Sequence, residues 1–136
     1  MSAPLRVLVV DDEPDIRLYL VSALEDAGFE VAVPGMDEPP EEAVRRFRPD
    51  VVSLDIMMPR RSGIAVYRAL RADPELRRVR VVIVSGMLLG KDFLHDGFRE
   101  LVQDASVPPP DAFVEKPVNV PSFVETIRNL VPGEPL

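Results

Sequence analysis

Four apolar runs in this sequence each end in a group able to do chemistry. Leu5–Asp12 (LRVLVVDD) closes on two carboxylates, Asp11 and Asp12. Val51–Pro59 (VVSLDIMMP) delivers a single acid, Asp55, and stops at Pro59, which cannot donate to a strand ladder. Val81–Ser85 ends in a hydroxyl and Ala112–Lys116 in an amine. Gathered at one sheet edge, these groups make a site for a divalent cation and a phosphoryl group. Clustered carboxylates repel one another at a cost in stability, so such a cluster usually serves to hold a hard cation. Mg²⁺ takes one or two carboxylates, keeps several waters and leaves room for a phosphate. A cation between acid and phosphoryl donor screens their repulsion and offsets charge developing on the oxygens. The Lys116 ammonium would neutralise the opposite side as a point charge. Asp55 is then free to act as nucleophile, giving an acyl phosphate.

Taken singly, each group has a plainer explanation. Asp11-Asp12 reads as a helix N-cap pair, Asp55 as a turn residue, Ser85 as a strand-end cap and Lys116 as a solvated charge. Their joint order shifts the balance toward a common site, because each ends an apolar strand and all fall on one sheet edge.

The elements that must position them follow from pattern. Val51–Asp55 is a short apolar run broken only by Ser53, suited to a strand buried on both faces of a parallel sheet. Acids at the carboxyl ends of such strands sit where open α/β sheets place their ligands. Leu5–Val10 reads as the first strand. Pro14 then opens a helix with acids near the positive end of its dipole. That helix carries Ile16, Tyr19, Leu20, Ala23, Leu24 and Ala27 at helical spacing and stops near Gly28. Phe29–Val33 is a second strand, Pro34–Pro40 a loop and Glu41–Phe47 a short helix. After Pro59, Arg60–Gly63 makes a turn and Ile64–Arg71 a third helix. Asp73-Pro74 breaks it, and Val81–Val84 is the fourth strand. An amphipathic pattern predicts a helix over about 92–105, and Ser106–Asp111 (SVPPPD) an extended, proline-stiffened link. Ala112–Glu115 is a fifth strand, and Phe123, Val124, Ile127, Leu130 and Val131 line a last helix. The sum is α/β: a doubly wound five-stranded parallel sheet with helices on both faces.

Bulk properties narrow the function classes. At 136 residues one domain is expected, with its core over about 5–131, an irregular segment at about 86–111 and a loose tail at 132–136. No apolar run reaches the roughly 18 residues of a membrane span, and MSAPLRV lacks the regions of a signal peptide. A cytoplasmic chain without membrane insertion is expected. The net charge of −7 argues against a nucleic-acid-binding surface. Cysteine is absent, which excludes disulfides and thiolate metal sites. The 15 prolines cluster in loops and at the C-terminus.

LVVDDEPDIR, VVSLDIMMPRRSG, VIVSG and FVEKPV, in that order across nearly the whole chain, together resemble the receiver domain of two-component response regulators. The resemblance implies a flavodoxin-like, CheY-like sheet of order 2-1-3-4-5. It implies that Asp55 accepts a phosphoryl group from a histidine kinase or phosphotransfer protein. Mg²⁺, or Mn²⁺ in its place, would be held by Asp12, Asp55 and the backbone carbonyl of Met57, with Asp11 acting largely through water. Ser85 and Lys116 would bond phosphate oxygens, and Phe113 would be the switch aromatic that follows Ser85 inward. Lys116–Pro117 is the candidate cis bond. The implied protein is a stand-alone response regulator, with Val131–Leu136 too short for an output domain and the downstream protein target unspecified. It would phosphorylate and dephosphorylate itself rather than turn over substrate.

The chain departs from the family pattern in three ways. The span from Ser85 to Lys116 is longer than usual, the switch aromatic lacks a hydroxyl, and no output domain follows. A constitutive interaction module with a vestigial acidic site is the alternative of another class. An aspartate-nucleophile phosphatase is disfavoured because Ile56-Met57 supplies no second acid after Asp55. Gly86–Lys91 (GMLLGK) has too few residues between its glycines for a phosphate-binding P-loop. His95, the only histidine, reads as a surface residue, and Arg60-Arg61 as a solvated turn.

Overall fold

Val51–Asp55, here β3, is buried at every residue, as its apolar composition demands. The computed structural model describes residues 4–56, 58, 62–86 and 107–131. Around β3 the described elements are β1 (Arg6–Val10), α1 (Pro14–Asp26), β2 (Glu30–Ala32), α2 (Pro40–Phe47), α3 (Gly63–Ala72), β4 (Arg80–Ser85), β5 (Ala112–Glu115) and α4 (Val120–Leu130). The strands form one sheet in the order β2-β1-β3-β4-β5. All pairings are parallel, with Val10 opposite Leu54, Asp55 opposite Val84 and Ser85 opposite Glu115. This is the expected doubly wound architecture. The helix expected over about 92–105 lies outside the described residues, as does the tail 132–136.

Successive strand residues feed opposite faces of the sheet. Leu8, Val10, Val52, Leu54, Val81 and Ile83 pack with Ala43, Val44 and Phe47 of α2 and with Ile64, Tyr67 and Leu70 of α3. Val7, Val9, Val51, Val82 and Val84 pack with Leu20 and Leu24 of α1 and with Phe123, Val124 and Ile127 of α4. Each such side chain contributes about 1.5–3 kcal/mol when fully buried. The strand ends are therefore held between two cores, and polar groups placed there inherit that rigidity.

Helix ends differ slightly from the periodic patterns because caps, not stripes, set them. α3 begins at Gly63 because the Ser62 side chain accepts a hydrogen bond from the Ile64 N–H at 3.1 Å. α4 begins well before its apolar stripe, since Asn119 accepts from Ser122 N–H at 3.0 Å and Pro121 suits the first turn. Gly28 follows α1 at φ +96, a conformation in which a side chain is disfavoured.

Candidate functional site

Parallel strands bring all their carboxyl ends to one edge, and there the groups singled out above meet. Asp11 directly follows β1 and is 5% exposed, while Asp55 ends β3 and is 2% exposed. Ser85 ends β4 and is buried, and Lys116 directly follows β5. The Lys116 N–H donates to the Ser85 carbonyl at 3.0 Å, tying the two strand ends together. The Lys116–Pro117 peptide bond is cis. Phe113 is half-buried in β5 and packs against the core on the α2–α3 face, the face to which Ile83 also turns.

The Lys116 ammonium lies 3.0 Å from Asp11 Oδ2, 3.5 Å from Asp55 Oδ2 and 3.4 Å from Glu13 Oε1. Burial of the amine works to lower its pKa. Close contact with Asp11 and the negative charges of Asp55, Asp11 and Glu13 outweigh that, so the ammonium is held above its ordinary range. Asp11 Oδ2 is buried, and its one contact is this 3.0 Å ion pair, which lies off the axis of a well-directed hydrogen bond. The other oxygen, Oδ1, accepts from the Glu13 N–H at 3.0 Å. That local turn fixes the Asp11 carboxylate and aims Glu13 back across the pocket. Arg17 donates to the Asp11 carbonyl at 3.1 Å and steadies the same turn from α1.

Gly63 sets how closely α3 approaches this edge. Its N–H donates to the Ile56 carbonyl at 2.9 Å. A Cβ at this position would stand 2.1 Å from the Asp55 carbonyl oxygen and 2.7 Å from the Ile56 Cα. Only glycine lets the helix start against the backbone that carries the central acid.

Ligand oxygens of Asp11, Glu13 and Asp55 all lie within 4.8 Å of one another. Three carboxylates, one of them with a buried oxygen lacking a hydrogen bond, form a donor set suited to a hard divalent cation. Asp12 is exposed and is not among the three, and Met57 lies outside the described residues. Glu13 is the residue that sequence pattern passed over. The signal was present as an unbroken run of three acids, Asp11-Asp12-Glu13, in which strand-end logic favours the first two.

Comparison with known proteins gives the same class. Residues 7–128 match the family model for the response regulator receiver domain. The chain belongs to that family. It is 30% identical over 127 residues to the polar-differentiation response regulator DivK of Brucella anthropi, an alignment covering 93% of this chain and 95% of DivK. It is 48% identical over 68 residues to the DNA-binding response regulator MtrA of Mycolicibacterium smegmatis, spanning 50% of this chain and 30% of MtrA. A CheY-like receiver domain from Methylobacillus flagellatus superposes with a TM-score of 0.72 at 26% identity, over 95% of this chain and 100% of that one. The Vibrio cholerae chemotaxis response regulator CheY4 shares the fold, with a TM-score of 0.76 at 21% identity, again over 95% and 100%. Receiver domains are signalling domains of two-component systems that bind Mg²⁺ at an acidic pocket and interact with histidine kinases or phosphotransfer proteins. Among the described residues no helix is long and apolar enough to cross a membrane.

Proposed function

We propose that this receiver domain accepts a phosphoryl group on Asp55 in a Mg²⁺-dependent reaction. The donor is the phosphohistidine of a histidine kinase or phosphotransfer protein, and the phosphorylated form signals by binding a downstream protein. One observation carries this reading: a single ammonium group, Lys116, stands within 3.5 Å of two buried carboxylates at the carboxyl edge of the sheet. Burying two acids is expensive unless charge or hydrogen bonds compensate them. Two acids buried at a ligand-binding edge support a working site.

Each residue has a definite task in this mechanism. Asp11, Asp12 and Asp55, with the Met57 carbonyl, would hold the cation. Bound Mg²⁺ supplies charge neutralisation at the phosphoryl oxygens. An Asp55 carboxylate oxygen forms the new O–P bond as the N–P bond of the donor breaks. The electron pair of that bond stays on the imidazole nitrogen, which takes up a proton. Lys116 turns its ammonium from the acids to one phosphoryl oxygen, and the Ser85 hydroxyl donates to another. Displacement of Ser85 draws Phe113 inward from the same face of the sheet, altering the surface above β4 and β5. Water later cleaves the acyl phosphate, so the domain resets itself without turning over a free substrate.

Labelling by a small phosphodonor such as acetyl phosphate tests this directly. Mg²⁺-dependent incorporation into the parent and none into Asp55→Asn is the expected result. Undiminished labelling of Asp55→Asn would move the nucleophile elsewhere. Absence of labelling in the parent would leave a constitutive interaction module, and catalytic hydrolysis of phosphomonoesters would make the protein a phosphatase.

A further inference from the structure

The three acids facing Lys116 are not equivalent. The side chains of Asp11 and Asp55 are 2% exposed, whereas that of Glu13 is 65% exposed. Asp11 is fixed by its turn and Asp55 by its strand, but Glu13 sits at the N-cap of α1 with no side-chain cap bond to hold it. Among the described residues, these three carboxylates share one ammonium, an excess of negative charge that favours a divalent cation.

We propose that Glu13 is a positioning residue that competes with the incoming anion for Lys116, and so restrains phosphorylation while helping to attract the cation. This rests on the receiver reading above. An anion arriving at Asp55 needs the ammonium, so Lys116 must give up part of its present coordination. The partner that costs least to release is the exposed one, because water resolvates Glu13 at once, whereas Asp11 would be left buried and uncompensated. Glu13 thus acts with opposite sign on the two ligands. Its charge adds to the field that draws Mg²⁺. Once the cation is in place, the same charge repels the anion and holds back the lysine.

The test measures two affinities in the parent and in Glu13→Gln, using Glu25→Gln on the exposed side of α1 as a charge control. Mg²⁺ alone is titrated first, by calorimetry or by amide chemical shifts. Beryllofluoride, which mimics the acyl phosphate, is then titrated at saturating Mg²⁺. Glu13→Gln is expected to bind Mg²⁺ about two- to fivefold more weakly and beryllofluoride about two- to fivefold more tightly, the range an exposed ion pair carries. Glu25→Gln should match the parent in both. A Glu13→Gln protein that matches the parent, or whose two affinities move in the same direction, overturns the proposal while leaving the receiver reading intact. A parent that binds no beryllofluoride in the presence of Mg²⁺ overturns both.

Discussion

The two ends of the same parallel strands use the same groups to opposite effect. At the amino ends of β4 and β5, Arg71 of α3 faces Asp111 at 3.3 Å. It also donates to the Arg77 and Val79 carbonyls at 2.9 and 2.7 Å and to the Tyr67 hydroxyl at 3.0 Å. Asp111 Oδ2 accepts in addition from the Val81 N–H at 2.8 Å, and the Tyr67 hydroxyl donates to the Pro108 carbonyl at 2.7 Å. Burial raises the Tyr67 pKa more than the neighbouring guanidinium lowers it, so the phenol stays protonated. Asp111 also pairs with Arg80 at 3.7 Å, no buried side-chain atom of the cluster lacks a hydrogen-bond partner, and the cluster straps the proline segment to α3. At the carboxyl ends, among the described residues, one ammonium is shared among three acids, and a buried oxygen of Asp11 has only its off-axis contact with that ammonium. A matched cluster holds structure together. An excess of acids over cations suits a cationic ligand.

Substitutions at the two ends should therefore diverge. Arg71→Met has the largest expected effect. It leaves carbonyls and a carboxylate without partners and should cost about 3 kcal/mol in denaturant unfolding, with no rescue by Mg²⁺. Rescue by Mg²⁺ would erase the distinction between the ends. Gly63→Ala should cost about 1–3 kcal/mol, because the added carbon meets backbone that cannot yield. It should also perturb the Asp55 amide, and an undisturbed spectrum with unchanged stability would contradict the close approach. Lys116→Met should destabilise the metal-free protein, because it leaves two buried acids without their cation, a loss that Mg²⁺ repairs. Because the folded-state pKa of Lys116 is raised, its contribution is present at neutral pH and fades only as pH climbs past its ordinary value of 10.5. The stability difference between parent and variant should be flat from neutral pH up to that point. The smallest effect belongs to the loop before α2. There the Arg46 guanidinium, aided by the Gly35 N–H, lowers the Glu38 pKa to about 2. That contribution is present above pH 4.5 and lost as pH falls toward 2, so Glu38→Gln should remove a minor part of the acid sensitivity without touching Mg²⁺ binding.

The same contrast explains what sequence could reveal. Strand-end acids, hydroxyl and amine were legible because a parallel sheet places every carboxyl end on one edge, so order along the chain fixes their convergence. Apolar runs likewise located all five strands, and helical spacing the inward faces of the described helices, except at Tyr19, which is 50% exposed. Glu13 escaped because the turn that aims it depends on a hydrogen bond from its own N–H to Asp11, which no periodicity encodes. The clamp of Tyr67, Arg71 and Asp111 joins residues some 40 positions apart and was invisible for the same reason. α3 starts at Gly63, one residue before the Ile64 expected, and α4 at Val120, ahead of the stripe that begins at Phe123, since caps rather than apolar stripes define the starts.

The melting temperature of the metal-free protein, measured with and without Mg²⁺ in the parent, Asp11→Asn and Asp55→Asn, tests the unmatched-charge account most directly. Ligand that binds only the folded state must raise it. The account predicts a clear rise in the parent that shrinks or vanishes in both variants, each of which should be at least as stable as the parent when no metal is present. A parent indifferent to Mg²⁺, or variants plainly less stable without it, would show that the carboxyl edge is as fully matched as the amino edge.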